Sequence, residues 1–328
     1  MTGGLGFIGS SFIRSLPSHD AVVNVDSQTY AADERRLSGT PASVRTITLD
    51  VRDGRLRSVI DDASPDVIVH FAAATHVTRG ERDAEHFFST NVEGSRGVFD
   101  AAAGYGRAAV VHVSTDEVYG PATERPFSEE DKQPGEGRAT SAYARSKAVA
   151  DDLARSYAGD LDIRIVRPTN CFGPWQHPEK AIPRWTVRAL LGLRLPVWGD
   201  GGYVRDWMFV DDAVSAVAIV AERGERGGVY NIAPEGEALT NLQVAHVIAE
   251  EAGAAIDSVY TTAYDRPDHD RRYWIDASRI RGLGWGPRVR LEEALRDTVR
   301  WYRVNEEWWK PLADEAEQLY EDDQANDP

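Results

Sequence analysis

Glycine recurs at every third position near the start of the chain, in the segment TGGLGFIG. Gly3, Gly6 and Gly9 have the spacing of a tight turn that lets the backbone approach a pyrophosphate at a helix N-terminus. Taken alone, such a loop can be an ordinary turn. Here an apolar strand pattern follows and ends in Asp26, about 20 residues on, where a carboxylate binds the ribose of a dinucleotide. Asp26 favours NAD over NADP, because a carboxylate repels a 2′-phosphate.

Short apolar runs alternate with helical stretches through the first half of the chain. A helical pattern covers residues 7–16, and strand patterns cover 21–25, 45–49, 67–71, 109–114 and 163–167. This alternation predicts an α/β fold with a Rossmann-type, doubly wound parallel sheet and helices on both faces. After Pro168, proline and tryptophan become frequent and the alternation ends. That change predicts a smaller α/β domain that binds the substrate.

The same change sets the expected domain boundaries. We expect an NAD-binding domain over 1–168, a substrate-binding domain over 169–312 that is interleaved with the first, and a frayed acidic tail over 313–328. The glycine loop should follow a strand, yet the sequence begins at Met1, so almost all of that strand is missing. We therefore expect the true start to lie a few residues upstream.

Charge and composition limit the possible partners. The 328 residues carry a net charge of −16, and such a surface repels nucleic acid phosphate. No apolar run reaches the ~18 residues needed to cross a bilayer. The single cysteine, Cys171, excludes an internal disulfide and suits a reducing cytoplasm. We expect a cytoplasmic protein without nucleic-acid, membrane or metal partners, in which local arginines hold any anionic substrate.

Tyr143 and Lys147 are four residues apart and share one face of a predicted helix. Tyrosine ionises near pH 10 in water, and a nearby ammonium lowers that pKa by stabilising the phenolate. Tyr143 could then take the proton of a hydroxyl while a hydride leaves for NAD, with Lys147 also holding the nicotinamide ribose. An ordinary exposed Tyr/Lys pair is the alternative, but the glycine loop upstream favours the redox pair.

Two adjacent carboxylates follow the strand pattern at 109–114, in the sequence Thr115-Asp116-Glu117. In an open α/β sheet, ligands bind at the carboxyl ends of the strands. Two close acids push their pKa values apart, so one suits an acid and the other a base. Elimination needs both, although adjacent acids are also common in solvated loops. Beside a redox tyrosine, they predict oxidation of a carbinol followed by loss of water.

These motifs together resemble the extended short-chain dehydrogenase/reductases, and within them the dTDP-glucose 4,6-dehydratases. The resemblance runs from Gly3 to about Trp309, nearly the whole chain. The glycine loop marks only the superfamily, whereas STDEVYG at 114–120 and HDRRY at 269–273 are fairly specific. Further matching segments lie at 70–73, 143–147, 176–180, 205–207, 230–232 and 265–268.

The resemblance implies which residues contact the cofactor and the substrate. For NAD they are Gly3, Gly6, Phe7, Ile8, Gly9, Asp26, Asp50, Val51, Ala72, Ala73, Tyr143 and Lys147. For a nucleotide sugar they are His76, Asn170, Lys180, Trp198, Arg205, Asn231, Arg266 and His269. The two arginines would pair with phosphate oxygens, and the indole would stack on the pyrimidine. A loop-stabilising role remains the alternative for Asn170, Asn231 and His269.

The resemblance also implies a reaction sequence on dTDP-glucose. Tyr143 helps oxidise C4 of the glucosyl unit while Thr115 hydrogen-bonds the C4 oxygen. Glu117 then removes the C5 proton, which the ketone has acidified, and Asp116 protonates the departing C6 hydroxyl. The hydride returns to C6 and gives dTDP-4-keto-6-deoxyglucose. NAD is regenerated in each turnover, so it should stay tightly bound.

Several positions depart from the family pattern. The segment ATHVTRG at 74–80 lacks two acids that the family usually carries there. Cys171 and Tyr203 each replace a usual asparagine. The predicted catalytic residues are unchanged, so the departures concern the choice of sugar and the positioning of the hexose.

Other functions and the assembly state follow from the same motifs. A related nucleotide-sugar 4,6-dehydratase, or an epimerase or decarboxylase, would share the Tyr/Lys pair, but the adjacent acids Asp116 and Glu117 favour dehydration. A nucleotide-sensing protein without catalysis would usually lose Tyr143 or Lys147. The predicted helices at 84–105 and 143–157 resemble a pair that forms a four-helix dimer interface in this superfamily. A homodimer is therefore expected.

Overall fold

The computed structural model describes residues 1–75, 84–122, 124–131, 141–236, 238–262 and 271–320. Its strands are β1 Ala21–Asp26, β2 Ser43–Thr48, β3 Val67–His70, β4 Ala109–Val113, β5 Ile163–Pro168, β6 Cys171–Phe172, β7 Leu195–Val197, β8 Val204–Arg205, β9 Met208–Phe209, β10 Val229–Ile232, β11 Leu239–Thr240 and β12 Val259–Thr261. Its helices are α1 Phe7–Ser15, α2 Leu56–Ala63, α3 Ala84–Phe88, α4 Gly94–Tyr105, α5 Ala142–Ser156, α6 Ala181–Leu190, α7 Val210–Arg223, α8 Asn241–Ala252, α9 Ser278–Gly282, α10 Leu291–Val304 and α11 Glu306–Gln318. A π-helical turn, Ser89–Glu93, joins α3 to α4, and short 3-10 helices cover Glu34–Leu37, Asp116–Tyr119 and Ile256–Ser258.

The main sheet is parallel, and the start of the chain lies in its centre. Its order is β2-β1, then Thr2, then β3-β4-β5-β10. The backbone of Thr2 forms bridges to Val25 on one side and His70 on the other. Thr2 N–H donates to Val69 O at 3.1 Å, and Gly3 N–H donates to Val25 O at 2.9 Å. The glycine loop therefore leaves the sheet at its carboxyl edge, and the predicted doubly wound fold is confirmed.

Helices cover both faces of this sheet. Successive side chains of a strand point to opposite faces, and β4 shows the result: Val111 packs with Phe12 and Val214 on one side. Its neighbour Val110 packs on the other side with α2 and α4, against residues such as Phe99. Because both faces of the central strands are apolar, these strands read as continuous hydrophobic runs. The sequence pattern located β1 to β5 within two residues, but it did not predict β10 as a strand.

The second half of the chain contributes to two layers. Its short strands β7 and β12 pair with each other, and α6, α8 and α10 surround a separate apolar core. Between these elements the chain returns to the main sheet: α7 packs against α1, and β10 pairs with β5. Elements from the second half of the chain thus join the sheet of the first half, and a cut at residue 168 would separate α7 and β10 from that sheet. The two domains and their boundaries remain a prediction. Among the described helices, none is both long and apolar enough to cross a membrane.

The segment predicted as a frayed tail is folded up to Tyr320. Helix α11 runs to Gln318, and Ala313, Ala316 and Tyr320 are buried. Glu317 accepts hydrogen bonds from Arg184 and Arg188 of α6. The prediction was wrong for 313–320 because the apolar residues three and four positions apart were hidden among acids. Residues 321–328 lie outside the described residues.

Candidate active site

The glycine loop between Thr2 and α1 is too tight for other residue types. Gly3 has φ of +74°, and a Cβ there would lie 2.6 Å from the backbone nitrogen of Ala72. A Cβ on Gly9 would lie 2.3 Å from the carbonyl oxygen of Gly3. Helix α1 begins with Gly6 as its N-cap, and no side chain of the described residues caps it. Its first N–H groups therefore offer an anion site, as a dinucleotide pyrophosphate requires.

Asp26 lies beside this loop at the carboxyl end of β1. One carboxylate oxygen accepts from Leu5 N–H at 3.0 Å and the other from Gln28 N–H at 2.9 Å. Ala72 and Ala73 follow β3 at the same edge of the sheet. The predicted NAD residues Gly3, Gly6, Phe7, Ile8, Gly9, Asp26, Ala72 and Ala73 thus come together. Their arrangement fits a dinucleotide whose adenosine ribose carries no 2′-phosphate, as in NAD.

Asp50 and Val51 follow β2, and in the structure the side chains of both contact other protein residues. The Asp50 carboxylate pairs with Arg52, with oxygen–nitrogen distances of 2.8 and 2.6 Å. The Val51 side chain packs in the core with Leu49 and Leu56. A contact with the cofactor remains a prediction for these two residues.

Thr115, Asp116 and Glu117 lie directly after β4, as predicted. Thr115 is the N-cap of the 3-10 helix Asp116–Tyr119 and accepts from Glu117 N–H at 3.3 Å. Its hydroxyl also donates to Asp116 Oδ1 at 3.2 Å, and although burial raises the pKa of Tyr143, the nearby Thr115 side chain acts in the opposite direction. This hydroxyl therefore connects the predicted acid pair to the predicted redox tyrosine.

The buried carboxyl group of Asp116 suits an acid. Asp116 is only 1% exposed, and its Oδ2 has no hydrogen-bond partner among the described residues. Burial, and then the charge of Glu117, raise the pKa of Asp116 well above its usual value. Burial therefore favours the protonated form of Asp116, while Glu117 is less buried. This asymmetry matches one acid and one base.

Helix α5 presents the Tyr/Lys pair. It begins after Ser141, whose hydroxyl accepts from Ala144 N–H at 3.0 Å and caps the helix. The pKa of Tyr143 was expected to be lowered, but burial and the Glu117 carboxylate raise it in the protein alone. Lys147 donates instead to the carbonyl oxygen of Val113 at 2.8 Å, and burial lowers the pKa of Lys147 to about 8. The sequence pattern could not reveal this, because it carries no measure of burial.

Two residues near this site were missed by the sequence analysis. Asn91, in the π-helical turn, exchanges hydrogen bonds of 2.8 and 3.0 Å with the backbone of Ala74 and donates to Ser146 Oγ at 2.8 Å. Asp206, between β8 and β9, acts electrostatically on Asp116, and burial raises the pKa of Asp206 to about 6. Asn91 stood in no motif, whereas Asp206 lies inside the matched segment 205–207 and could have been found there.

The predicted substrate residues that the structure describes lie mostly beyond the carboxyl ends of the strands. Asn170 follows β5, and its Oδ1 is buried without a hydrogen-bond partner among the described residues. Lys180 donates to Thr75 O at 3.1 Å. The Arg205 guanidinium lies 4.5 Å from the ring centre of Tyr273, and the Trp198 ring lies 6.0 Å from that of Tyr320.

Asn231 is more deeply placed than the other predicted substrate residues. Its side chain is fully buried, accepts from the Tyr119 hydroxyl at 2.8 Å, and donates to the carbonyl oxygens of Phe127 and Asp276 at 3.2 and 3.1 Å. A contact between Asn231 and the substrate remains a prediction. Predicted residues His76, Arg266 and His269 lie outside the described residues.

Cys171 lies close to the acid pair. Burial, and then the charge of Asp116, raise the pKa of the Cys171 thiol to about 12, so the thiol stays protonated. Its Sγ donates to Thr169 O at 3.4 Å. The departure at this position therefore places a neutral group beside Asp116.

Several known proteins resemble this chain over nearly its whole length. The chain is 42% identical over 315 residues to the low-salt glycan biosynthesis protein Agl12 of Haloferax volcanii, covering 94% of this chain and 99% of that protein. It is 41% identical to a dTDP-glucose 4,6-dehydratase of Streptomyces griseus, covering 95% and 96%. The crystal structure of the dTDP-glucose 4,6-dehydratase DesIV from Streptomyces venezuelae, with NAD and TYD bound, superposes with a TM-score of 0.88 at 40% identity, covering 95% and 98%. Residues 1–233 match the NAD dependent epimerase/dehydratase family. The chain therefore belongs to the NAD dependent epimerase/dehydratase family.

Proposed function

We propose that this protein converts dTDP-glucose to dTDP-4-keto-6-deoxyglucose and uses NAD as a cofactor that is regenerated in each turnover. The observation that carries the proposal is the position of Asp116 and Glu117 next to Thr115 and close enough to Tyr143 to act on its pKa. Oxidation requires the tyrosine, whereas elimination requires an acid and a base. The similarity to proteins named dTDP-glucose 4,6-dehydratase supports the choice of substrate.

Oxidation begins at the C4 hydroxyl. Bound NAD would supply the acceptor for the C4 hydride and the donor of the hydride to C6. Thr115 orients the C4 oxygen, and Tyr143 takes its proton. Because burial and Glu117 raise the pKa of Tyr143, this proton transfer needs positive charge nearby. Lys147, one helical turn from Tyr143, provides an ammonium whose pKa of about 8 keeps it mostly charged at neutral pH.

Elimination uses the two carboxyl groups in different protonation states. The C4 ketone acidifies the C5 proton, and Glu117 removes it as a base. Asp116 donates its proton to the C6 hydroxyl, which leaves as water. When the hydride is returned to C6, Glu117 gives its proton back to C5, and the proton taken from the C4 hydroxyl by Tyr143 balances the one lost by Asp116. The raised pKa of Asp116 supports this division, because the group must be protonated at the pH at which it acts as an acid.

The nucleotide part of the substrate would be held by residues from the second half of the chain. The partnerless Oδ1 of Asn170 supports a polar contact there, and Arg205 and Arg266 would offset the diphosphate charge within an acidic protein. Trp198 would stack on the thymine, and Lys180 would contact the nucleotide or the sugar. His76 and His269 stay predictions of the same kind.

We also propose a cytoplasmic homodimer. The proposed interface uses the helical segment 84–105 together with α5, which pack side by side on one face of the sheet. Light scattering after size exclusion tests it. A mass of about twice 36.2 kDa is expected, and a monomer at micromolar concentration would contradict it.

Product mass tests the proposed reaction. Purified protein incubated with dTDP-glucose should give a product that is lighter by one water, with no net accumulation of reduced cofactor, and Glu117→Gln should abolish it. An unchanged mass with an inverted C4 centre would indicate an epimerase instead. If dTDP-glucose is left untouched, a panel of other nucleoside diphosphate sugars tests whether the altered 74–80 segment changes the choice of sugar.

A further inference from the structure

Arg36 is a buried arginine that contacts two separate parts of the molecule. It lies in the 3-10 helix Glu34–Leu37 after β1, and only 1% of it is exposed. Its Nη1 donates to Leu5 O at 2.7 Å and to Ala31 O at 2.5 Å, and its Nε donates to Trp175 O at 3.1 Å. Leu5 belongs to the glycine loop, whereas Trp175 belongs to the second half of the chain.

On the cofactor side, Arg36 fixes the central peptide of the glycine loop. The N–H of Leu5 donates to Asp26, and its carbonyl accepts from Arg36 and from Asp33 N–H at 3.1 Å. Leu5 is therefore held by the ribose-side carboxylate and by the buried guanidinium at the same time. Since the loop places the N-terminus of α1 against the pyrophosphate, its position depends on these bonds.

On the substrate side, Arg36 holds the first residue of the segment 175–180, which ends in Lys180. Trp175 has φ of +69°, an unusual value for a residue with a side chain. Its ring packs 4.8 Å from that of Trp301 and 5.2 Å from that of Trp308, between ring centres. The Arg36 bond at the Trp175 carbonyl thus joins the segment 175–180 to the cofactor loop.

A second contact joins the same two regions. The Tyr30 hydroxyl, four residues after Asp26, donates to Glu179 Oε1 at 2.9 Å. The Trp308 indole also donates to Asp33 Oδ2 at 2.7 Å, so α11 supports the joint from the C-terminal side. Arg36 lies at the centre of this joint, 5.6 Å from the ring centre of Trp308.

A guanidinium at this depth is costly unless its N–H groups are satisfied. Burial lowers the pKa of Arg36 to about 10, so the group remains charged at neutral pH. Its three hydrogen bonds in the structure all go to backbone carbonyls, which fix loop positions rather than side chains. Its neighbour Arg35 is 55% exposed and pairs with Asp33, so the sequence alone does not distinguish the two.

We infer that Arg36 is a positioning residue that locks the cofactor loop to the segment carrying Lys180, and that tight retention of NAD depends on this lock. The inference deepens the proposed function and rests on it for the identity of the nucleotide. A reaction that removes and returns one hydride needs a cofactor that does not leave between the two steps. Arg36 contributes to this retention through its hydrogen bonds, although it is not one of the proposed catalytic residues.

Equilibrium binding tests the inference on the full chain after NAD has been removed. Arg36→Met should raise the Kd for NAD about tenfold or more, because a charged hydrogen bond to the loop is lost. Arg36→Lys should have a smaller effect, because it keeps the positive charge but lacks the planar set of N–H donors of a guanidinium. Saturating NAD should restore kcat in both variants. Arg55→Met, at an arginine that is 76% exposed and pairs only with Asp53 in the structure, is the matched control and should leave NAD binding unchanged.

A second titration addresses the substrate side. With NAD saturating, the Kd for dTDP should rise several-fold in Arg36→Met, because the Trp175 carbonyl has lost its donor. NAD affinity within about twofold of the parent, with a lowered melting temperature, would mean that Arg36 is merely structural. Unchanged dTDP affinity would overturn the link to segment 175–180. If Arg36→Met is insoluble, Arg36→Lys decides: a Kd for NAD raised at least about threefold supports the inference, and a smaller change overturns it.

These outcomes are separate from the test of the reaction. NAD binding is measured without any sugar. A parent protein that binds NAD and leaves dTDP-glucose unchanged would contradict the proposed function, while the effect of Arg36 on NAD binding would still be decided by its own titration.

Discussion

Lys147 donates a 2.8 Å hydrogen bond to the carbonyl oxygen of Val113, the last residue of β4. The acid pair begins three residues later, at Asp116. One bond therefore connects the helix that carries Tyr143 to the strand that precedes the proposed elimination residues. This bond fixes the position of Tyr143 relative to Asp116 and Glu117. Under the proposed mechanism, oxidation at C4 and proton removal at C5 can then occur on one bound sugar.

Replacing Lys147 by methionine should separate activity from stability. We expect kcat to fall at least about 100-fold, because the positive charge near Tyr143 is lost. The free energy of unfolding should change by less than about 2 kcal/mol, because removing a buried charge offsets the lost hydrogen bond. Steady-state kinetics and urea unfolding measure the two quantities. Lys310→Met, at an exposed lysine of α11, is the control and should change neither strongly. Activity within tenfold of the parent would refute the role given to Lys147.

Variants of Glu117 and Asp116 should stop the reaction at different steps. Glu117→Gln should still oxidise C4 but not remove the C5 proton, so absorbance near 340 nm should persist in a single turnover and no deuterium should enter C5 from heavy water. Asp116→Asn keeps the base, so C5 should exchange while departure of the C6 hydroxyl slows at least about 100-fold. Mass spectrometry of the recovered sugar reads both. C5 exchange in Glu117→Gln would require another base.

The sequence predicted the parts of this site that depend on local pattern. The strand ends, the glycine loop and the Tyr143–Lys147 face follow from apolar runs and from spacing along one chain segment. Asn231 shows the limit of such patterns. Its matching segment suggested a substrate contact, which remains a prediction, but gave no sign of its hydrogen bonds to Tyr119, Phe127 and Asp276, which are distant in sequence. No local pattern contains those contacts.

Burial accounts for the other differences. The sequence suggested a lowered pKa for Tyr143, whereas the folded protein surrounds it with apolar atoms and a carboxylate that raise it. Arg36 and Arg35 are adjacent and chemically identical, and only the fold separates the buried one from the exposed one. The acidic segment 313–320 was misjudged for the same reason, because its apolar face is visible only once α6 is beside it.

Asp206 predicts a pH-dependent stability difference. Burial raises the pKa of this carboxyl to about 6, so its ionisation costs stability as the pH rises from its unfolded pKa through 6. Asp206→Asn should therefore be more stable than the parent by up to about 3 kcal/mol at pH 8, and by almost nothing at pH 4. Urea unfolding at both values measures the difference. The exposed Asp160→Asn is the control for loss of one negative charge, and an equal gain at pH 4 and pH 8 would contradict the assignment to Asp206.

Glu317 predicts the opposite pH dependence at the C-terminal helix. It accepts two bonds of 3.0 Å from Arg184 and one of 2.7 Å from Arg188, and these hydrogen bonds outweigh its burial and lower its pKa. A lowered carboxyl pKa contributes stability above the unfolded value and loses it as the pH falls. Glu317→Gln should therefore destabilise the protein by about 1–2 kcal/mol at pH 7, and the difference should shrink in acid.

Asp314→Asn, on the exposed side of the same helix, separates this effect from a general change of charge. It removes the same charge without touching α6, so its free energy of unfolding should stay within about 0.5 kcal/mol of the parent. Equal losses in Glu317→Gln and Asp314→Asn would mean that helix charge, rather than the two arginines, holds α11 in place. A loss confined to Glu317→Gln would show that the acidic C-terminal segment is a structural part of the fold, held through α6 next to Lys180.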